Sequence, residues 1–394
     1  MRVGFDMLYA QGPSATVGIG NYSFNYLSHL TAHPEVEPFF FHDYHPHSAG
    51  EYARQLSQFV ATNGLDIFHL TSPIEMLYPE VLAGARIPRV GLVATVYDVI
   101  PQIFADAYLA TSVAKAHYAR QLDGLRHAQR LFAISENTRQ DFLHLGFDPN
   151  RVITIGTGTD PSFYPLDRAT LDTRPLGLPA DQSFCLAFNP LDFRKNAERL
   201  VAAFTGVSAS LQNAPRLVFV SGVPDSLQRH LHTIAQQHGR PHALHFAGHV
   251  AKAELLVWFN RAQALLCPSL YEGLGLPVLE AMQCGCPVVT SNVSALPEIA
   301  GDAAIYVDPG DVNSIAAGIQ RILVDPDLRQ TLRRRGLARA EQCRWSEVVE
   351  KTLAEYRRVM AEVPIDHQVR ETRPPTPIKQ PSRRNARYVP FQWL

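Results

Sequence analysis

Pro268-Ser-Leu-Tyr-Glu272-Gly-Leu-Gly-Leu-Pro277-Val-Leu-Glu280-Ala-Met-Gln-Cys-Gly-Cys-Pro287 follows an apolar run at 264–267 that reads as a strand. The whole stretch therefore reads strand, glycine-rich turn, helix. Gly273 and Gly275 let the backbone come close to a ligand. Pro277 suits the first helical position. A turn that opens a helix offers free N–H groups and the positive end of the helix dipole, which suits a diphosphate. The candidate donors are the amides of Gly273, Leu274, Gly275 and Leu276. Glu280 lies one turn into the helix, where its carboxylate can accept hydrogen bonds from a ribose diol. Glu272 sits in the turn, near the other end of the same ligand. Taken alone, these residues also fit an ordinary strand–turn–helix with two solvated glutamates.

Outward from this stretch the chain alternates short apolar runs with helical patterns. Strands are predicted at 3–5, 38–41, 67–70, 91–96 and 130–134, with helices at 20–30, 111–128 and 136–145. After Pro161-Ser-Phe-Tyr-Pro165 the pattern restarts, with strands at 184–188, 217–221, 243–246, 264–267, 287–290 and 304–307. Helices are predicted between them at 197–210, 226–238, 251–261, 277–283 and 312–323, then a last long one at 346–360. Such alternation implies parallel sheets covered by helices. The expected organisation is an acceptor-side domain at 1–163, a nucleotide-sugar-binding domain at 164–345, a C-terminal helix at 346–362 and a Pro- and Arg-rich tail at 363–394. Ligands of doubly wound sheets sit at the carboxyl ends of strands, near the switch in strand order.

Composition sets outer limits. The 394 residues exceed one ordinary core and fit two domains. A net charge of -1 excludes binding to nucleic acid by bulk basicity. The first 165 residues hold 10 Lys and Arg against 15 Asp and Glu, whereas the tail holds 6 against 2. Tail cations together with Tyr388, Phe391 and Trp393 suggest contact with a membrane surface or a partner enzyme. No run is long and apolar enough to span a bilayer, and the start lacks a signal-peptide core. Five cysteines without metal spacing read as thiols of a reducing cytoplasm. His42-Asp-Tyr-His45-Pro46-His47 does not make a helical metal pair, because Pro46 breaks the helix. No metal site is predicted.

The run from Glu272 to Glu280, with seven residues between the glutamates around Gly-Leu-Gly-Leu-Pro, resembles the signature of the retaining GT-B glycosyltransferases of family 4. It continues in family style through Pro287-Val-Val-Thr-Ser-Asn-Val-Ser294-Ala-Leu-Pro-Glu298. Asp192-Phe-Arg194-Lys195-Asn196 resembles the basic donor-phosphate motif of the family, and Gly18-Ile-Gly20-Asn-Tyr22 its first-domain glycine loop. Ala133-Ile-Ser135-Glu136-Asn-Thr138 and Ile155-Gly-Thr-Gly-Thr-Asp160 match the end of its first domain. The family often has His-Asp where this chain has Tyr97-Asp98, and a tyrosine carries no charge near neutrality. Phe188-Asn-Pro190 likewise stands where Gly-Arg is frequent.

The resemblance implies two Rossmann-like domains facing across a cleft and retaining, metal-independent transfer without a cofactor. The substrates implied are a nucleotide sugar and a glycan or lipid-linked glycan acceptor of bacterial surface polysaccharide. GDP-mannose is the first choice of donor, since Tyr97-Asp-Val-Ile-Pro with Arg194-Lys-Asn looks mannosyl- or rhamnosyltransferase-like. In this reading Arg194, Lys195 and the amides of 273–276 stabilise the leaving diphosphate, and Glu272 faces the donor sugar. Tyr97 and Asp98 line the acceptor side, the C-terminal helix crosses back onto the first domain, and closure excludes water. Two alternatives stand beside it: a phosphorylase- or synthase-like enzyme acting on soluble sugars, and a catalytically silent GT-B scaffold.

Overall fold

The computed structural model describes residues 1–7, 10, 18–42, 48–83, 90–167, 177–179, 182–209, 211 and 213–362. The chain forms two compact units, one of residues 1–158 with the C-terminal stretch from 344, the other of 159–343. The basic tail and the His45-Pro46-His47 segment lie outside the described residues.

The first unit holds a six-stranded parallel sheet of β1 (Arg2–Asp6), β2 (Glu37–Phe41), β3 (Ile67–Leu70), β4 (Gly91–Val96), β5 (Arg130–Ala133) and β6 (Val152–Thr154), in the order β2-β1-β3-β4-β5-β6. Every residue of β3, β4 and β5 is buried. A parallel strand covered on both faces needs such a continuous apolar run, which is why these strands were readable in the sequence. Strand β6 was not expected; it is only three residues long and half-buried beyond Val152. The second unit repeats the layout with β7 (Phe184–Phe188), β8 (Arg216–Val220), β9 (Leu244–Gly248), β10 (Leu265–Cys267), β11 (Val288–Ser291) and β12 (Ala304–Val307), in the order β12-β11-β10-β7-β8-β9. Strand order thus reverses between β1 and β3 in one unit and between β7 and β10 in the other.

The helix Pro326–Glu341 was also unforeseen. Its buried face is Leu332, Gly336 and Ala340, mostly small side chains that carry little hydrophobic periodicity. Small size has a use there: a Cβ at Gly336 would lie 3.2 Å from Met282, on the helix Leu276–Gln283 that carries Glu280.

The helix Trp345–Glu362 packs on the first unit. Trp345 stacks on Tyr26, Thr352 Oγ1 lies 2.7 Å from Tyr26 Oη, and Tyr356 Oη lies 2.6 Å from His69 Nδ1. Arg130 Nε donates to Glu355 Oε2 at 2.8 Å, both side chains nearly buried. Deleting one partner of such a pair costs about 3–5 kcal/mol, because the other charge is left buried alone. The unit boundary falls at 158/159, ahead of the expected 163/164. Asp160 is tied to Lys252, and Asn260 grips the backbone of Tyr164 and Leu166, so this connector belongs to the second unit. The later break falls at 343/344 rather than 345/346, because Trp345 buries itself in the first unit. Among the described residues, no helix is long and apolar enough to cross a membrane.

Candidate active site

Two loops leave the carboxyl ends of β7 and β10, the neighbouring strands on either side of the order switch in the second unit. After β7, Asp192 caps a short 3-10 turn, Phe193–Lys195, by accepting from Arg194 N at 3.0 Å. Asn196 follows in a left-handed conformation, φ 61°, which asparagine tolerates. Its buried carboxamide donates to Pro268 O at 3.0 Å and Pro309 O at 2.7 Å. Leu270 N donates to Arg194 O at 2.7 Å. Together these bonds fasten the basic turn to the loop after β10.

The charged side chains meet across that seam. Lys195 Nζ lies 2.6 Å from Glu272 Oε1, with the two side chains 18% and 11% exposed. Burial pulls the Lys195 ammonium down, and the Glu272 carboxylate more than offsets it, so the lysine stays charged with its pKa above the ordinary value. Arg194 donates to Tyr271 O at 3.1 Å and pairs with Asp192 at 2.5 Å. Neither cation points into bulk solvent. Cys267, at the end of β10, feels both Glu272 and Lys195, and burial pushes its thiol up.

The helix Leu276–Gln283 begins as the glycine turn ends. Gly275 is its N-cap at φ 98°, a value L side chains rarely adopt, and a Cβ there would meet Leu296 at 2.9 Å. Leu276 rather than Pro277 is the first helical residue. Gly273, Leu274 and Gly275 are buried and Leu276 is half-buried, so this turn is backbone packed against protein. Pro277 carries no N–H and Val278 N donates to Gly275 O at 2.9 Å, so what this helix start offers an anion is chiefly the positive end of its dipole.

Glu280 has different company from Glu272. It is half-buried, and burial, with Asp160 adding repulsion and Lys252 opposing it, lifts its pKa to about 8. Asp160 itself is paired with Lys252 at 2.7 Å, and Gln283 Nε2 donates to Asp160 O at 3.0 Å. Sequence reading missed Lys252 and Asp160 as neighbours of Glu280. No spacing signals them, since they lie 28 and 120 positions away, as the numbers 252, 160 and 280 show.

In the first unit Gly18 and Gly20 stand in the first turn of the helix Gly18–Thr31, which begins two residues ahead of the expected 20; the preceding 11–17 lie outside the described residues. Tyr97 is buried and donates from Oη to Thr71 O at 2.7 Å, with Ser23 Oγ at 2.5 Å. Asp98 Oδ1 accepts from Ile100 N at 2.9 Å, capping the short helix Ile100–Ile103. Among the described residues, no three His, Cys, Asp or Glu side chains gather as a metal site would require.

Comparison with known proteins agrees with this layout. The family model described as Glycosyltransferase Family 4 matches residues 12–163, and the one described as Glycosyl transferases group 1 matches 170–339. The chain is 30% identical over 239 residues to the O-antigen chain mannosyltransferase B of Escherichia coli, covering 60% of this chain and 62% of that one. It is 28% identical over 275 residues to the serotype-specific mannosyltransferase WbdA of Escherichia coli, covering 68% of this chain and 33% of that one. It therefore spans less than two thirds of the length of these relatives. Sucrose-phosphate synthase from Thermosynechococcus elongatus shares the fold at TM-score 0.72 and 21% identity, over 92% of this chain and 100% of that one. WaaG, a glycosyltransferase involved in lipopolysaccharide biosynthesis, does so at 0.63 and 19%, over 90% and 99%.

Proposed function

We propose that this chain, which belongs to the GT-B glycosyltransferases of group 1 and family 4, moves a hexosyl group from a nucleoside-diphosphate sugar to a hydroxyl of a glycan or lipid-linked glycan of the cell surface. The observation that carries the reading is the meeting of Lys195 with Glu272 at 2.6 Å, beside an amide-lined turn at the strand-order switch. A diphosphate seated on that turn places its charge against Arg194, Lys195 and the amides of Gly273–Leu276, where preorganised donors in a partly dry site are most effective.

The reaction proposed retains anomeric configuration. The bond from the anomeric carbon to the diphosphate oxygen breaks, a bond to the acceptor oxygen forms, and the acceptor proton passes to the departing phosphate. Lys195 stabilises the leaving group, and Glu272 faces the positive charge that grows on the sugar. Glu280 holds the ribose diol, with Lys252 and Asp160 flanking it. Asp98 is assigned to the acceptor side. Tyr97 serves it through packing, since its hydroxyl is bonded to Thr71 and Ser23. No metal or cofactor enters this scheme. GDP-mannose is the donor proposed; the names of the two Escherichia coli relatives support its mannose part.

The test is a thermal-shift screen of GDP, UDP and dTDP, followed by turnover of the matching sugar nucleotides with and without EDTA. Binding of one diphosphate at 100 times its Kd adds about 2.7 kcal/mol to the folded state. GDP should raise Tm, GDP-mannose should be consumed, EDTA should change nothing and Glu272→Ala should lower turnover at least about 100-fold. A protein that binds no diphosphate and consumes no sugar nucleotide is a scaffold, and the proposal fails. The setting proposed is the cytoplasm, with peripheral contact at the inner face of the membrane as its extension. Membrane recovery of a chain truncated before 363 tests whether the basic tail contributes to it.

A further inference from the structure

From the flank of the glycine turn opposite Lys195 we infer that Ser294 is a positioning residue for Glu272. The inference rests on the role proposed for Glu272. Ser294 follows β11 with φ 54°, one of three non-glycine residues with left-handed backbone among those described. Its Oγ accepts from Glu272 N at 3.0 Å, and the next residue, Ala295, donates from N to Glu272 O at 3.4 Å. Two consecutive residues thus hold both backbone groups of Glu272, while Lys195 holds its carboxylate.

The same edge is laced further along. Thr290 Oγ1 donates to Cys267 O at 3.0 Å, and Ser291 Oγ donates to Ser269 O at 2.7 Å. Leu296 fills the space beside Gly275. A hydroxyl on each of residues 290, 291 and 294 is therefore spent on the end of β10 or the turn after it. Ser294 stands out because its backbone disfavours any side chain. Glycine would adopt this conformation freely but would leave the Glu272 N–H without its acceptor. The hydroxyl commits that N–H and so fixes the backbone from which the carboxylate reaches Lys195.

Ser294→Gly removes the acceptor and the backbone strain together, so loss of folding does not confound it; Ser294→Asn restores an acceptor on a residue that tolerates the left-handed region. Three readouts are needed: kcat and KM for GDP-mannose, GDP affinity by calorimetry, and deuterium uptake of a peptide spanning Glu272. Ser294→Gly should lower kcat about 10- to 100-fold, as small misplacements of reacting groups do. It should leave GDP affinity within about threefold and speed exchange at the Glu272 peptide, not at β7. Ser294→Asn should recover part of both effects. Unchanged kcat, or parallel losses of kcat and GDP affinity, overturns the positioning role. Faster exchange in a protein without any turnover would instead overturn the proposed reaction and leave the backbone contact standing.

Discussion

The two units share a design and differ in how they use it. Each has six parallel strands and one reversal of strand order, so each offers a crevice at the carboxyl ends of two strands. In the first unit several of the groups there bond one another. Thr71 N donates to Asp6 Oδ1 at 3.1 Å, Thr71 Oγ1 donates to the same carboxylate, and Tyr97 closes onto Thr71 and Ser23. Behind them His69 is buried between Tyr356 and Thr95, and burial depresses its pKa to about 3. In the second unit the loops after β7 and β10 bring together Arg194, Lys195 and Glu272 as paired charges, while Glu280 stands apart with Asp160 and Lys252. One architecture thus yields a hydrogen-bonded neutral cluster around Thr71 and Tyr97 in one place and a cluster of paired charges in another, which is why function must be argued from the site rather than the fold.

The sharpest way to break this contrast is Glu272→Ala. Turnover should fall about 10²–10⁴-fold in a steady-state assay if Glu272 faces the reacting sugar. Next comes Lys195→Met, which strips the leaving group of one cation. Its kcat should fall about 10²–10³-fold, the range seen when one preorganised donor is removed. Since Glu272 is then buried without its partner, Tm should also drop by several degrees, which calorimetry reads.

Tyr97→Phe probes the other unit. It leaves Thr71 O and Ser23 short of a partner, at about 1–3 kcal/mol, so Tm should fall by a few degrees with kcat within about fivefold. A loss of 100-fold would mean that the first-unit crevice takes part in the chemistry and that the contrast drawn above is wrong.

The smallest effects are in pH dependence, and they have opposite signs. His69 is held neutral, so the unfolded chain binds the extra proton and stability is lost as pH falls from about 6.5 toward 3. Glu280 is the reverse: its folded pKa of about 8 lies above the unfolded value of 4.5, so its contribution weakens as pH rises through that window. Glu280→Gln should therefore match the parent at pH 4.5 and exceed its Tm by a few degrees at pH 8, partial exposure keeping the gain small. Equal Tm differences at both pH values would show that Glu280 is not held protonated.

Much of this was legible before any coordinates. Strands such as Ile67–Leu70 and Phe184–Phe188 announce themselves as apolar runs, and Glu272, Glu280, Arg194 and Lys195 by motif. Local chemistry also sets the asparagine at 196 and the glycine at 275, because few other residues accept those backbone angles. What stayed hidden involves partners distant in the chain. The helix Pro326–Glu341 has no clear signal because small residues bury little, and the partners of the Tyr97 hydroxyl, Thr71 and Ser23, lie 26 and 74 positions away.

The order of elements, the parallel sheets and the types of charged residue near the turns followed from periodicity and composition, which act over a few neighbouring residues. Which carboxylate meets which cation was decided only by folding. Lys195 and Glu272 are 77 positions apart, as are Arg194 and Tyr271, and only the adjacency of β7 and β10 brings them within hydrogen-bond reach. Burial and pairing depend on that long-range arrangement, so the states of charge at the candidate site belong to the tertiary structure.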